Sequence, residues 1–163
     1  MTRRNSPETA RPATKTARKG KDTRPAPVTW QTARCEATAI GWLFVLPVLL
    51  SANRQWRRGK RKDGTSYTFK PKGDKAVEAA AAALFRHVPM FRGEVCVSIL
   101  WVRRQASGDV DNRVKPTLDL LKGVAFADDD QVRRVEVERT DDRTKAPGLY
   151  VSVWAADEPR VAA

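Results

Sequence analysis

Residues 95–139 have the sequence VCVSILWVRRQASGDVDNRVKPTLDLLKGVAFADDDQVRRVEVER. The first eight residues alternate in a way that predicts a central strand, with the odd-numbered positions from Val95 to Trp101 on one face. A helix is predicted over 112–122, ending at Gly123, a residue type common directly after the last helical turn. A second strand follows over 132–139. This order predicts an α+β domain built on a small mixed β-sheet with two helices.

Apolar patterning outside this stretch predicts further strands and a loop. A buried first strand is predicted over 42–46 and a last strand over 149–154. Between them lies a basic, turn-rich loop over 51–64, in which Asp63-Gly64 is a tight-turn signal. Tyr67 and Phe69 alternate with polar residues, which fits a short strand or an extended arm.

The other predicted helix covers residues 75–88. Asp74 is a favoured N-cap residue, and Pro89 closes the run. Its alanine-rich stretch suits close packing on a sheet or on a partner subunit. The apolar residues near 42–50 are a second candidate interface, and both surfaces are equally compatible with an ordinary core.

The composition limits the protein to one domain and indicates a polyanionic partner. The chain has 163 residues and a formal net charge of +12. That length suffices for one domain with a core, and that charge is typical of proteins that bind nucleic acid. The apolar run 39–52 is too short to span a bilayer, and Pro47 interrupts it. No membrane partner is expected.

Too few soft ligands are present for a zinc site. The two cysteines, Cys35 and Cys96, form no Cys-x-x-Cys pair, and with the single histidine His87 they cannot supply four zinc ligands. We expect both cysteines to be reduced core residues of a cytoplasmic protein. Nothing around His87 indicates a Ser-His-Asp or Cys-His hydrolase.

Residues 1–28 are predicted to be a disordered basic tail ahead of a folded domain over 29–163. The segment carries eight Lys or Arg side chains against Glu8 and Asp22, which is half of the net charge of the chain. It has too few aliphatic residues to offset the entropy of ordering it. Its role is either solubilisation or a salt-sensitive tether to a polyanion.

Two groups of carboxylates flank the predicted helix 112–122. Asp109 and Asp111 are one residue apart, so both can face one side of an extended segment. Asp128–Asp130 follow the helix, and the chain must reverse at Gly123 to bring them back. Three converging carboxylates repel one another, and a Mg²⁺ ion resolves this because it takes oxygen ligands and leaves room for a substrate phosphate. In so basic a chain, this pattern indicates a metal-dependent nuclease.

Several readings of these residues stay open on spacing alone. Lys115 shares a helical face with Asp111 and can neutralise a phosphate, or it can form an ion pair with Asp111 or Asp119. Asp111 can also cap the helix, and the run 128–130 can be a solvated turn. A calcium-binding EF-hand is excluded, because the required glycine and closing glutamate are missing.

The ordered set of motifs resembles the RusA family of Holliday junction resolvases over about residues 42–155. The segment Asp109-Val110-Asp111-Asn112-Arg113-Val114-Lys115, with Asp119 downstream, is similar to the family's Asp-x-Asp-Asn-x-x-Lys core. The segment Ala127-Asp128-Asp129-Asp130-Gln131 resembles its second acidic motif, in which the acid two residues before the Gln is catalytic. The segment Leu46-Pro47 through Ser51-Ala52-Asn53 resembles its early Leu-Pro segment.

The resemblance implies a Mg²⁺-dependent homodimer, with Mn²⁺ as a possible substitute, that makes paired symmetric nicks in four-way DNA junctions in recombination and repair. It implies metal-binding, catalytic roles for Asp109, Asp111 and Asp129. It assigns Lys115 as a catalytic lysine and Asn112 as a supporting residue. A bacterial or viral origin is expected.

A dense basic run is predicted to contact the DNA. The residues assigned to it are Asn53, Arg54, Trp56, Arg57, Arg58, Lys60, Arg61 and Lys62. Trp56 inside this run suits stacking on a base or at the junction centre. Tyr67 and Phe69 are expected in the core instead.

Two other classes of function compete with the nuclease. One is a basic architectural DNA-binding protein whose acids have no catalytic role. The other is a nucleotide-sugar transferase that uses Asp-x-Asp, against which the net charge and the missing nucleotide-binding βαβ pattern argue.

Overall fold

The computed structural model describes residues 24–52, 57–69, 72–104 and 108–157. The strands of its main sheet are β1 (Arg34–Ala37), β2 (Gly41–Leu46), β5 (Val95–Val102), β6 (Val132–Thr140) and β7 (Gly148–Ala155). They lie in the order β1-β2-β7-β5-β6. Neighbours pair antiparallel except β5 and β6, which are parallel. The prediction of an α+β domain with a small mixed sheet is confirmed.

A hairpin and the helices complete the described fold. Strands β3 (Arg57–Lys60) and β4 (Ser66–Phe69) pair with each other in a separate two-stranded sheet. The helices are α1 (Lys72–Leu84) and α2 (Val114–Leu121), and short 3-10 helices cover Asp111–Arg113 and Asp129–Gln131. None of the helices that the structure describes could span a lipid bilayer.

The core is centred on β5, as its continuous apolar sequence requires. Val97 and Ile99 are almost completely buried, in one cluster with residues of both helices. Helix α1 contributes Phe85, just beyond its end, whose ring meets that of Phe44 edge-on at a centroid distance of 5.3 Å. Helix α2 contributes Leu121. Each fully buried side chain of this size stabilises the fold by about 1.5–3 kcal/mol.

Strands β1 and β3 were not predicted. Their sequences, RCEA and RRGK, contain none of the apolar alternation that marks a half-buried strand. Both depend on pairing with a neighbour, β1 with β2 and β3 with β4. The tight turn between β3 and β4 is as predicted: Gly64 has a φ of +87°, and the Thr65 N–H donates to Asp63 Oδ1 at 2.9 Å.

The predicted bounds of helix α1 were wrong at both ends. The helix begins at Lys72, so Asp74 lies inside its first turn and is not the N-cap. It ends at Leu84, four residues before Val88. The Val88 N–H instead donates to the Phe85 carbonyl in a turn. A residue that precedes proline is disfavoured in helical conformation, so the chain leaves the helix before Pro89.

The N-terminal boundary differs in part from the expectation. Residues 1–23 of the predicted tail lie outside the described residues. Val28 is buried, and its N–H donates to the Pro147 carbonyl at 2.8 Å. Contact with the sheet therefore begins before residue 29.

Candidate active site

The first acidic motif follows β5 after a loop in which residues 105–107 lie outside the described chain. Asp109 is exposed and accepts a long hydrogen bond of 3.5 Å from Asn112 Nδ2. Asp111 is also exposed, and it is the first residue of the 3-10 helix. Its predicted role as a helix cap is not observed, because Val110 occupies the N-cap position and no side chain of the described residues caps this end. Both carboxylates are accessible to solvent.

Trp101 holds this motif against the end of β5. Gly108 has a φ of +113°, and a Cβ placed there would lie 2.8 Å from Trp101 Cη2. On the other side of the motif, the Arg113 guanidinium lies 4.6 Å from the centre of the Trp101 ring. Arg113 Nη1 also donates to the Leu49 carbonyl at 2.5 Å. The backbone on both sides of Asp109 and Asp111 is thereby fixed to the core and to the Leu-Pro segment.

Helix α2 presents Lys115 between two carboxylates. Lys115 Nζ donates to Asp119 Oδ1 at 2.5 Å and lies 3.6 Å from Asp129 Oδ2. Of the two ion-pair partners left open by the sequence, the structure therefore shows Asp119. The hydrogen bond that Lys115 donates to Asp119, reinforced by the charge of Asp129, raises the pKa of Lys115 above its usual value. The lysine is a fixed cation at neutral pH.

The second acidic motif is braced by a capping box around the 3-10 helix Asp129–Gln131. Asp128 accepts from the Asp129 N–H at 2.6 Å, while Gln131 Oε1 accepts from the Ala127 and Asp128 N–H groups. Gln131 Nε2 donates to the carbonyls of Phe91 and Gly93, at 3.1 and 2.9 Å. The motif is thus tied to the segment that leads into β5.

The three acids of this second motif differ in environment. Asp128 is paired with Lys122 at 2.8 Å, which holds the pKa of its carboxyl below the usual value. Asp129 Oδ1 is buried and has no hydrogen-bond partner among the described residues. Asp130 is exposed. Asp129 is therefore the acid of this motif that keeps one buried carboxylate oxygen without a partner.

The structure brings some of the predicted site residues together and not others. Lys115 and Asp129 are in contact, and Asp109 contacts Asn112. Within the described ranges, no three acidic, histidine or cysteine side chains lie close enough to hold a metal ion jointly. Lys115 nevertheless links the two motifs, since it follows Asp111 by four positions and its Nζ lies 3.6 Å from Asp129 Oδ2.

The donor chemistry nevertheless fits a hard divalent cation. All three predicted ligands offer carboxylate oxygens, which Mg²⁺ prefers. The buried Asp129 oxygen without a partner is an atom that a cation would satisfy.

Four residues of this site escaped prediction or were left undecided. Asp119 was one of two candidate partners for Lys115. Gly108, Trp101 and Gln131 had no assigned role, although an Asp followed three residues later by Gln is itself a capping-box signal.

The basic hairpin differs from the expectation in its aromatic residues. The basic residues that the structure describes in the hairpin are all exposed: Arg57, Arg58, Lys60, Arg61 and Lys62. Gly59, which lies among them in β3, is half-buried. Asn53, Arg54 and Trp56 lie outside the described residues. Tyr67 and Phe69 were expected in the core, but their exposed fractions are 42% and 38%. The hairpin forms a sheet of its own, so it offers these rings no core to enter.

A family model supplies the identity of this fold. The model for endodeoxyribonuclease RusA matches residues 46–154, which include both acidic motifs, Lys115 and the basic hairpin. No curated protein matches the chain closely enough to count as a relative. The resemblance inferred from the motifs and the assignment as an endodeoxyribonuclease are both confirmed. The chain belongs to the RusA family of endodeoxyribonucleases, Holliday junction resolving enzymes that hydrolyse phosphodiester bonds of DNA.

Proposed function

We propose that the protein is a divalent-metal-dependent resolvase that makes paired, symmetric nicks in four-way DNA junctions during recombination and repair. The observation that carries the proposal is the contact of Lys115 with Asp129, beside a buried carboxylate oxygen that lacks a partner. This group lies inside the segment matched by the RusA family model. An anionic polymer, a fixed cation and an unsatisfied carboxylate are the components of phosphodiester hydrolysis assisted by a metal.

The proposed roles follow the chemistry of each side chain. Asp109, Asp111 and Asp129 would hold the metal, and Asn112 would orient Asp109. Mg²⁺, or Mn²⁺ in its place, supplies a Lewis acid for the phosphate and lowers the pKa of a coordinated water when it is bound. Lys115 stays charged and has a 58% exposed side chain, so its ammonium group is available to a phosphate oxygen.

A homodimer is proposed because two symmetric cuts require two sites related by a two-fold axis. The exposed apolar residues Val48, Leu50 and Leu84 support this. Val48–Leu50 and Val77 of α1 line the same cavity, so the two surfaces suggested by the sequence are continuous. A protein with the reduced thiols Cys35 and Cys96 suits the cytoplasm of a bacterium or of a virus-infected bacterium.

The test is cleavage of a labelled four-way junction beside its linear duplex arms, in Mg²⁺ and in EDTA. Wild-type protein is expected to give paired symmetric nicks only in the junction and only with metal. Asp111→Asn is expected to abolish cleavage while it preserves or tightens junction binding, because one negative charge facing the phosphates is lost. Tight junction binding without cleavage in Mg²⁺ or Mn²⁺ would instead identify an architectural DNA-binding protein.

A further inference from the structure

The β3–β4 hairpin places both of its aromatic rings on one face, together with Arg57, and places Arg58 and Lys60 on the other. Opposed residues of an antiparallel pair lie on the same face. Arg57 is opposite Phe69 and Gly59 is opposite Tyr67, whereas the pairs Arg58–Thr68 and Lys60–Ser66 lie on the other face. We call Gly59, Tyr67 and Phe69 the aromatic face.

The rings of the aromatic face form one exposed surface. The centroids of Tyr67 and Phe69 lie 5.6 Å apart with 35° between the ring planes. Both rings are more than one-third exposed. Side chains this large and apolar are normally covered, and a paired, exposed arrangement indicates a binding surface.

The Tyr67 ring packs directly against the backbone of Gly59. A Cβ built at Gly59 would lie 2.7 Å from Tyr67 Cζ and 2.9 Å from its hydroxyl oxygen. A side chain at this position would push the ring away from β3. The absence of a side chain at residue 59 therefore lets the ring lie directly over the strand.

Positive charge surrounds this face. The Arg61 guanidinium lies 5.6 Å from the Tyr67 ring centre, and Arg57 pairs across from Phe69. Arg58, Lys60 and Lys62 add three more exposed cations. Asp63 is the acid of the hairpin, and its carboxylate accepts hydrogen bonds from Thr65 within the turn.

We propose that the aromatic face stacks against unpaired or unstacked bases at the branch point of the DNA, while the surrounding cations hold the phosphates. The inference rests on the proposed junction substrate and names the feature of that substrate which the hairpin recognises. Exposed rings within a cationic surface are the combination that binds single-stranded nucleic acid, because every base offers a π-face. A continuous duplex offers no accessible base face.

The charge distribution favours DNA over a second copy of this chain. Two copies of the hairpin facing each other would bring like charges together, which disfavours association. Lysine is also depleted in the cores of protein interfaces.

The test measures binding to a four-way junction that carries 2-aminopurine at the branch point, in EDTA, with the full chain. Double substitution of Tyr67→Leu and Phe69→Leu keeps apolar area but removes both rings. We expect junction affinity to fall about 5- to 100-fold, with loss of the 2-aminopurine fluorescence change. The slope of log affinity against log salt should stay the same, since no phosphate contact is removed.

Two further variants separate stacking from a folding defect. Tyr67→Phe keeps the ring and should bind as wild type. Gly59→Ala keeps both rings but displaces Tyr67, and it should reproduce part of the loss. Affinity for linear duplex should change in neither variant, and circular dichroism should match wild type.

Some outcomes would overturn base stacking by the aromatic face and leave the nuclease assignment intact. These are junction binding by the double Leu variant equal to wild type, equal loss of affinity for junction and duplex, or conversion of a dimer to a monomer in sedimentation. Failure of wild-type protein to bind or cut junctions would instead overturn the proposed function, and with it the proposed stacking by the aromatic face.

Discussion

The Asp109–Asp111 motif and the Asp128–Asp130 motif differ in how their carboxylates are held. In the second motif, which forms a capping box, the Gln131 side chain accepts two hydrogen bonds and donates two, and Asp128 pairs with Lys122. The first motif has one long side-chain hydrogen bond and a backbone packed on Trp101.

We propose that this difference gives the two motifs different tasks. The exposed acids of the first motif would adjust to a cation and a phosphate as they bind. In the second motif, hydrogen bonds to Asp128 and from Gln131 fix the backbone that carries Asp129 before substrate arrives. Lys115 connects the two motifs, because its backbone lies one helical turn after Asp111 and its side chain reaches Asp129.

Substituting two adjacent acids of the second motif one at a time should have unequal effects on cleavage. Asp129→Asn should lower cleavage by about 10²- to 10³-fold, since it removes the carboxylate that contacts Lys115 and carries the unpartnered Oδ1. Asp130→Asn should leave it within about two-fold, as expected for an exposed surface substitution. Single-turnover cleavage of a junction measures both. Equal losses in the two variants would contradict the special role of Asp129.

The first motif should be sensitive to a substitution that displaces its backbone. Gly108→Ala places a Cβ against Trp101 and a side chain at a φ of +113°. We expect a loss of about 1–3 kcal/mol in unfolding free energy and slower cleavage with junction binding retained. Gly93→Ala is the matched control, because no atom of the described chain lies within 4 Å of a Cβ there. Urea unfolding and cleavage rates compare the pair, and identical behaviour would show that Trp101 does not position the motif.

A smaller effect is expected from the ion pair between Asp128 and Lys122. The pKa of Asp128 is below its usual value of 3.8, first because Lys122 donates to it. A depressed folded pKa gives stability that is present above the unfolded pKa and is lost as pH falls through the folded one. Asp128→Asn keeps a good N-cap residue but loses the charge. Its stability deficit should be small at pH 7 and should disappear below pH 3.8, as followed by urea midpoints against pH. A deficit independent of pH would contradict the Lys122 pairing.

Periodicity predicted those elements whose own sequence carries an apolar pattern. Strand β5 and helix α2 are examples, and Gly123 ends α2 with a φ of +75° as expected. Edge elements were harder to predict. In β6, which was predicted as a strand over 132–139, Val135 is exposed, and β6 lies at the edge of the sheet.

The candidate site was found through motif order, and its internal contacts were not. Gln131 bonds to residues 38 and 40 positions away, and Arg113 reaches Leu49 across 64 positions. Local spacing carries no information on such pairs. The exposure of Tyr67 and Phe69 was missed for a related reason, since hydrophobicity alone does not reveal that a hairpin stands apart from the core.

The parallel pairing of β5 with β6 has a consequence for insertions and deletions. Because α2 runs between the two motifs, one extra residue in it would advance the following chain by about 1.5 Å and rotate it by about 100°. That rotation would carry Asp129 away from Lys115. The turn at 61–65 faces solvent, so an extra residue there would not rotate a helix or the residues that follow it. We therefore expect the fold to tolerate an inserted residue in the turn at 61–65 better than one between Gly108 and Gln131.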